Sequence, residues 1–229
     1  MDFYVVIPAR YDSSRFPGKV LTHIGNKTML EHVYLNAIES DAKDVLIATD
    51  SSLVYEEAKK FTNKVYITSK KNKNGTERVA ELAETLELDK NDLVINLQAD
   101  MPELQSDNIN FLASKAKDNN GMSTLYYPLD HSKLKLDRNT VKINIENDAI
   151  SFHRIIKKNP SGKIYKHVGI YAYFVKDLYL YKSIPQSENE LNLSLEQYRF
   201  IDNNFKVSAY CAISNPGVSV DSTNNLNEI

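Results

Sequence analysis

FYVVIPARYDSSRFPGKVL, residues 3–21, is the stretch on which the fold turns. It opens as an apolar run rich in β-branched residues, FYVVIP, which stops at Pro8 and reads as a strand. Three cations follow, Arg10, Arg15 and Lys19, spaced four or five residues apart. A strand that runs straight into a basic loop is well placed to hold an anion. In a parallel sheet that loop lies at the carboxyl edge, where backbone N–H groups of the turn and the next helix add further donors. Arg offers phosphate oxygens a planar two-pronged contact, and Lys a compact charge.

Outward from that loop, strands and helices alternate. DVLIATD, KVYITS and DLVINLQAD read as strands, and TMLEHVYLNAIES, SLVYEEAKKF and TERVAELAETLEL as the helices between them. In the first helix Met29, Val33, Ala37 and Ile38 fall near one face, and Thr28 with Glu31 forms a capping-box pattern. In the third, Val79, Leu82, Ala83 and Leu86 follow i, i+3, i+4, i+7 spacing. Such alternation predicts right-handed crossovers and a parallel sheet with helices on both faces.

After about residue 120 the pattern changes. MSTLYYPL, TVKINIE, AISFHR and HVGIYAYFV read as strands with few long helices between them, hence antiparallel or mixed pairing. Residues 157–166, KKNPSGKIYK, read as an exposed loop, SLEQYRFIDNN as a short helix and KVSAYCAIS as a further strand. VDSTNNLNEI reads as a turn leading into a terminal helix. The expected fold is one α/β domain over 1–229, a Rossmann-like three-layer sandwich with a mostly parallel central sheet and an antiparallel insertion.

Composition bounds the function. The 229 residues are enough for a substantial core, and 42% hydrophobic with 25% charged residues is ordinary for a soluble protein. A net charge of -2 argues against a general nucleic-acid binder, so anion binding must be local. Cys211 is the only cysteine, which excludes an intramolecular disulfide and a cysteine metal cluster. In the apolar setting SAYCAI it reads as a small core residue. The opening apolar run is too short for a signal peptide, and no stretch approaches membrane-spanning length. The expectation is a cytoplasmic enzyme with no membrane insertion.

The basic loop is of an unusual kind. PGKV looks superficially like a P-loop, but that pattern needs Gly at Ser13 and Ser or Thr at Val20. The dinucleotide fingerprint G-x-G-x-x-G is absent too. What remains is a looser loop, of the sort with which sugar nucleotidyltransferases grip a nucleoside triphosphate.

VVIPARYDSSRFPGKVL resembles the opening of the 3-deoxy-manno-octulosonate (Kdo) cytidylyltransferases, matching through Pro8, Ala9, Arg10, Ser14, Arg15, Pro17, Gly18, Lys19 and Leu21. Further matches follow in order: ATD at 48–50, NGTER at 74–78, NLQAD at 96–100, HVGIYAY at 167–173, LEQYR at 195–199 and VDS at 220–222. The resemblance spans nearly the whole chain. It implies a nucleotide-diphospho-sugar transferase-like fold, with residues 1–120 for the nucleotide and 121–229 for the acceptor sugar and a homodimer contact. It also implies transfer of CMP from CTP to Kdo with release of pyrophosphate, for lipopolysaccharide or capsule biosynthesis, with magnesium as cofactor.

Site residues follow from the residues and the resemblance together. Ala9, Arg10, Ser14, Arg15 and Lys19 are expected around the triphosphate, with Lys19, Arg10 and Asp100 catalytic. In NGTER, Gly75 lets a ligand approach the backbone and Thr76 is a candidate N-cap. The resemblance adds recognition of cytosine through Asn74, Gly75, Thr76 and Arg78, and places Gln98 in the nucleotide site. Asp100 ends the strand DLVINLQ at the carboxyl edge, where a carboxylate suits magnesium, and Asp221 is the second ligand the family implies. Arg154, His167, Tyr171, Glu196 and Gln197 match acceptor-sugar positions, although Ser194 to Gln197 also fits a capping box.

Three features depart from the family. Met101 stands where relatives carry Glu, His153 replaces a Ser, and the segment between Arg154 and His167 is short and lacks an Ile-Pro-Trp stretch. They keep two alternatives open: another acid sugar as acceptor, such as an 8-amino analogue of Kdo, and a non-catalytic CTP-binding homologue.

Overall fold

Alternate side chains of the first strand enter two different cores. In β1 (Phe3–Ala9), Phe3, Val5, Ile7 and Ala9 join one apolar cluster and Val6 the other. A strand covered on both faces reads as the near-continuous apolar run seen in the sequence. The structure is a computed structural model and describes residues 2–12, 16–128, 140–155 and 162–228.

In chain order the hairpin β2 (His23–Ile24) and β3 (Lys27–Thr28) follows, then α1 (Met29–Ile38), β4 (Asp44–Thr49), α2 (Ser52–Ala58), β5 (Val65–Ile67), α3 (Gly75–Thr85) and β6 (Leu93–Leu97). The second half holds α4 (Ser106–Ala116), β7 (Met122–Tyr127), β8 (Lys142–Glu146), β9 (Ala149–His153) and β10 (Lys163–Phe174). It closes with α5 (Val175–Ser183), α6 (Glu188–Leu193), α7 (Tyr198–Ile201) and β11 (Val207–Cys211).

The main sheet runs β11-β7-β10-β6-β1-β4-β5, with β8 and β9 branching from β10. Strands β6, β1, β4 and β5 are mutually parallel, and β11 is parallel to β7. Strand β10 alone runs against its neighbours β6 and β7, and β8 and β9 extend from its first half as an antiparallel insertion. Helices α1, α2 and α4 cover one face through Leu30, Val33, Val54 and Leu112. On the other, α3 and α5 bury Val79, Leu82, Leu178 and Tyr181. This is the expected mostly parallel sandwich.

Several local expectations are corrected. Helices α4, α5 and α6 have no counterpart in the reading of the sequence. In α4 the pattern is masked by Asn108, a polar residue that is fully buried because its side chain bonds the backbone of Ile213 and Ser214. Ile38 ends α1 with its side chain in solvent, 48% exposed. Asn74, not Thr76, caps α3, its side chain accepting the Glu77 N–H. Of the expected loop 157–166, Lys163 to Lys166 lie in β10, while 157–161 fall outside the described residues. Cys211 is exposed at the end of β11, an edge strand paired only with β7. The terminal helix is a 3-10 helix, Thr223–Glu228.

Candidate active site

Because β1, β4 and β6 are parallel, their carboxyl ends share one edge, and the loops after β1, β5 and β6 meet there. Two adjoining chambers open along it. The smaller, about 400 Å³, is lined by Pro8, Arg10, Lys19, Lys73, Asn74 and Gly75. The larger, about 730 Å³, lies against the β10 insertion and is lined by Arg154, Lys166, His167, Tyr171, Glu196 and Gln197 among others. Gln98, Asp100 and Ser194 line both.

Lys19 reaches this junction from a short 3-10 turn that follows Gly18. Its Nζ lies 2.6 Å from Asp100 Oδ2 and 3.7 Å from Asp221 Oδ1, and it donates to the Val220 carbonyl at 3.1 Å. Two carboxylates from distant segments therefore converge on one cationic position. Among the described residues no cluster of three or more Asp, Glu, His or Cys groups forms a fuller cage. A pair of carboxylates is the donor set magnesium uses, since it keeps waters and takes substrate phosphates for its remaining positions. Asp100 and Asp221 fit the ion.

In the smaller chamber, Arg10 donates to the Asn72 carbonyl at 3.0 Å. Burial and, after it, the neighbouring Arg78 lower its pKa, while Asp50, Glu196 and Glu77 oppose the shift. Gly75 opens α3, and a Cβ there would stand 3.0 Å from the Gln98 amide and 3.2 Å from the Pro8 ring. The first turn of α3 is thus pressed against the chamber wall, its Thr76 and Glu77 N–H groups already held by Glu196 and Asn74. Arg78 is fully buried, paired with Asp50 and bonded to Thr68. Neither Arg78, Thr76 nor Ala9 lines a chamber; all three are buried. Ser14 and Arg15 lie outside the described residues.

In the larger chamber, Ser194 closes α6 in a left-handed conformation at φ 53°, and α7 begins only at Tyr198. The capping box expected from Ser194 to Gln197 does not form. Instead Gln197 donates its amide to the Tyr171 hydroxyl at 2.6 Å, and its buried Oε1 has no partner. Glu196 accepts the Thr76 N–H at 3.3 Å, so the larger chamber is tied to the first turn of α3. Burial raises the Glu196 pKa and that hydrogen bond opposes it. Arg154 donates to the carbonyls of Leu193 and Ser194, both at 3.0 Å. Lys166 and Lys73 are additions from the structure. Both immediately precede residues singled out in the sequence, but a lone lysine carries no pattern of its own.

His167 is buried at 7% exposure, with Nε2 3.0 Å from Thr124 Oγ1 and the ring edge-on to Phe152. Burial lowers its pKa from 6.5 to about 3, so it is neutral at physiological pH. The unfolded chain gains a proton below pH 6.5 that the folded one refuses. Stability from this group is complete above that value and falls until pH reaches about 3. Between pH 7 and 5 the unfolding free energy is expected to drop by about 2 kcal/mol on this account. Urea titrations at both pH values check it, and His167→Gln should flatten the slope.

The fold and paired chambers define a nucleotidyltransferase, and a cytidylyltransferase family profile matches residues 4–207. The chain is 36% identical to the 3-deoxy-manno-octulosonate cytidylyltransferase of Saccharophagus degradans, over 90% of this chain and 89% of the relative. Its counterpart in Pseudoalteromonas translucida is 35% identical, over 100% and 96%. A solved structure of CMP:2-keto-3-deoxy-manno-octonic acid synthetase complexed with CTP superposes with a TM-score of 0.88 at 31% identity, covering 100% of this chain and 96% of that one. A 4-diphosphocytidyl-2C-methyl-D-erythritol synthase shares the fold, with a TM-score of 0.67 at 15% identity over 99% of this chain and 96% of the other. The chain belongs to the 3-deoxy-manno-octulosonate cytidylyltransferase family.

Proposed function

We propose that this chain transfers CMP from CTP to 3-deoxy-manno-octulosonate, releasing pyrophosphate, and so supplies lipopolysaccharide or capsule assembly. One observation carries the reading: a chamber lined by Arg10, Lys19 and Lys73 and a second lined by Arg154, His167, Tyr171, Glu196 and Gln197 share Gln98 and Asp100. An oxygen on the anomeric side of the acceptor attacks the α-phosphorus from the larger chamber. The bond to the β-phosphate oxygen breaks in line, and pyrophosphate leaves from the smaller chamber.

Each side chain has a physical task. Arg10 and Lys19, with Ser14 and Arg15 from the same loop, hold the triphosphate and the departing pyrophosphate by fixed charge. The first turn of α3, at Asn74 and Gly75, receives the base beside Gln98, while Thr76 and Arg78 brace that turn from within the core. Arg154 meets the sugar carboxylate, and neutral His167, Tyr171, Glu196 and the unpartnered Gln197 oxygen position hydroxyls. Magnesium, held by Asp100 and Asp221, would supply charge neutralisation on the triphosphate. With little covalent chemistry to perform, the protein acts through placement and electrostatics.

The working form we infer is a cytoplasmic homodimer joined through the second half. Among the described residues no helix is long and apolar enough to cross a membrane. Ile155, Leu191 and Leu193 are exposed apolar side chains, two of them on α6 and one just past edge strand β9, which supports an interface there.

The decisive experiment offers CTP, ATP, GTP and UTP in turn with a panel of acid sugars and reads pyrophosphate release. Turnover with CTP and Kdo is expected. Preference for an 8-amino sugar would move the acceptor assignment, and CTP binding without turnover on any acceptor would overturn the enzymatic reading.

A further inference from the structure

Asp221 sits on a strap, residues 213–222, that leaves β11 and crosses the carboxyl edge of the sheet. The strap is fastened at successive points. Asn108 bonds the backbone of Ile213 at 3.0 Å and the Ser214 hydroxyl at 2.8 Å. Lys166 donates to the Gly217 carbonyl at 2.8 Å, and Glu103 Oε2 accepts the Val218 N–H at 2.9 Å. The Val220 N–H reaches the Asp100 carbonyl at 2.9 Å. Asp221 is thus delivered opposite Asp100 by a series of fastenings, of which Asn108 and Glu103 line neither chamber.

Glu103 differs from the other fasteners in where it comes from. It stands three residues after Asp100, in the same loop that follows β6. One loop therefore presents a carboxylate at the junction and also grips the strap that brings the second. The grip is tight: Gly217 has φ +72°, and a Cβ there would fall 2.3 Å from the Glu103 Cβ. Only a residue without a side chain lets the strap lie so close to Glu103 in that conformation. Glu103 lines neither chamber, so its effect on chemistry must pass through Asp221.

We propose that Glu103 is a positioning residue whose carboxylate, by holding the Val218 N–H, sets the separation of Asp221 from Asp100 and with it the affinity for the divalent ion. The inference rests on the reading of Asp100 and Asp221 as ion ligands. Groups that orient metal ligands from behind typically change affinity about tenfold or more when removed.

The test uses the full chain with CTP and Mn²⁺ as the probe ion, reading ion affinity by water-proton relaxation, and the metal-free chain, reading hydrogen exchange at the Val218 amide. Glu103→Ala should weaken Mn²⁺ about tenfold and speed exchange about tenfold. Glu103→Gln keeps a carbonyl acceptor and should stay within about twofold of wild type in both. Gly217→Ala, which lifts the strap with Glu103 intact, should weaken Mn²⁺ like Glu103→Ala, and it decides the matter if the latter fails to fold. Wild-type Mn²⁺ affinity in Glu103→Ala and Gly217→Ala, or equal loss in Glu103→Gln and Glu103→Ala, overturns the proposal. Asp221→Ala separates the two levels. If it weakens Mn²⁺ and Glu103→Ala does not, the positioning role alone falls; if it has no effect, the ligand assignment falls and takes the positioning role with it.

Discussion

Asp100→Ala is expected to lower turnover by at least about a hundredfold while leaving the protein folded. Removing one well-placed electrostatic contact from a transition state costs roughly 3 kcal/mol. Asp100 is placed for such a contact: it sits early in the loop after β6, borders both chambers and lies 2.6 Å from Lys19. The fold should tolerate the change because the side chain is partly open to solvent and Lys19 retains the Val220 carbonyl and Asp221. Pyrophosphate release at saturating CTP and acceptor, beside a thermal melt, measures both halves. Undiminished turnover would remove Asp100 from the machinery.

Arg199→Met should produce the largest loss of stability, about 3–5 kcal/mol in urea unfolding. Arg199 is 1% exposed, and its guanidinium makes paired bonds to Glu190 at 2.7 and 2.8 Å, with Glu77 at 3.0 Å and the Tyr181 ring 4.1 Å away. Removing it leaves the Glu190 carboxylate buried without its counter-charge. Burial alone pushes the Glu190 pKa up, but hydrogen bonds from Arg199 and Gln186 outweigh it and hold the group below its ordinary 4.5. Its stabilising contribution is therefore present above that value and lost as pH falls through the lower folded one. The damage should also reach the nucleotide chamber, since Asn74, the cap of α3, bonds Glu190 at 3.2 Å and the Tyr181 hydroxyl at 2.6 Å. A raised KM for CTP should accompany the lost stability. Adding Glu190→Leu to Arg199→Met should recover part of the stability, because the stranded charge goes with it; no recovery would refute the ion-pair account.

The parallel sheet of the first half was legible because β1, β4, β5 and β6 are apolar runs ended by a turn signal, whereas the two-residue strands β2 and β3 are too short to carry a pattern. The second half was harder. The long strand β10 pairs with three others, so its local pattern reports no single partner. In α4, the buried Asn108 breaks the apolar period for a reason that lies in the chain a hundred residues later. The junction of Lys19, Asp100 and Asp221 was readable only through the resemblance, since two isolated Asp residues carry no metal spacing. Gln197 was ambiguous in sequence and becomes definite once Ser194 proves to be the end of one helix and not the start of the next. Glu103 and Lys166 were invisible because their partners are backbone atoms of a distant strap, and a backbone group leaves no mark in a sequence.

The two chambers have Gln98, Asp100 and Ser194 in common, so nothing but these shared side chains need be passed between them. A hybrid inhibitor with a cytidine arm and a sugar-acid arm joined by a short linker would fill both compartments at once. Such a compound would owe its tightness to having already surrendered the freedom that two separate reactants must lose on meeting.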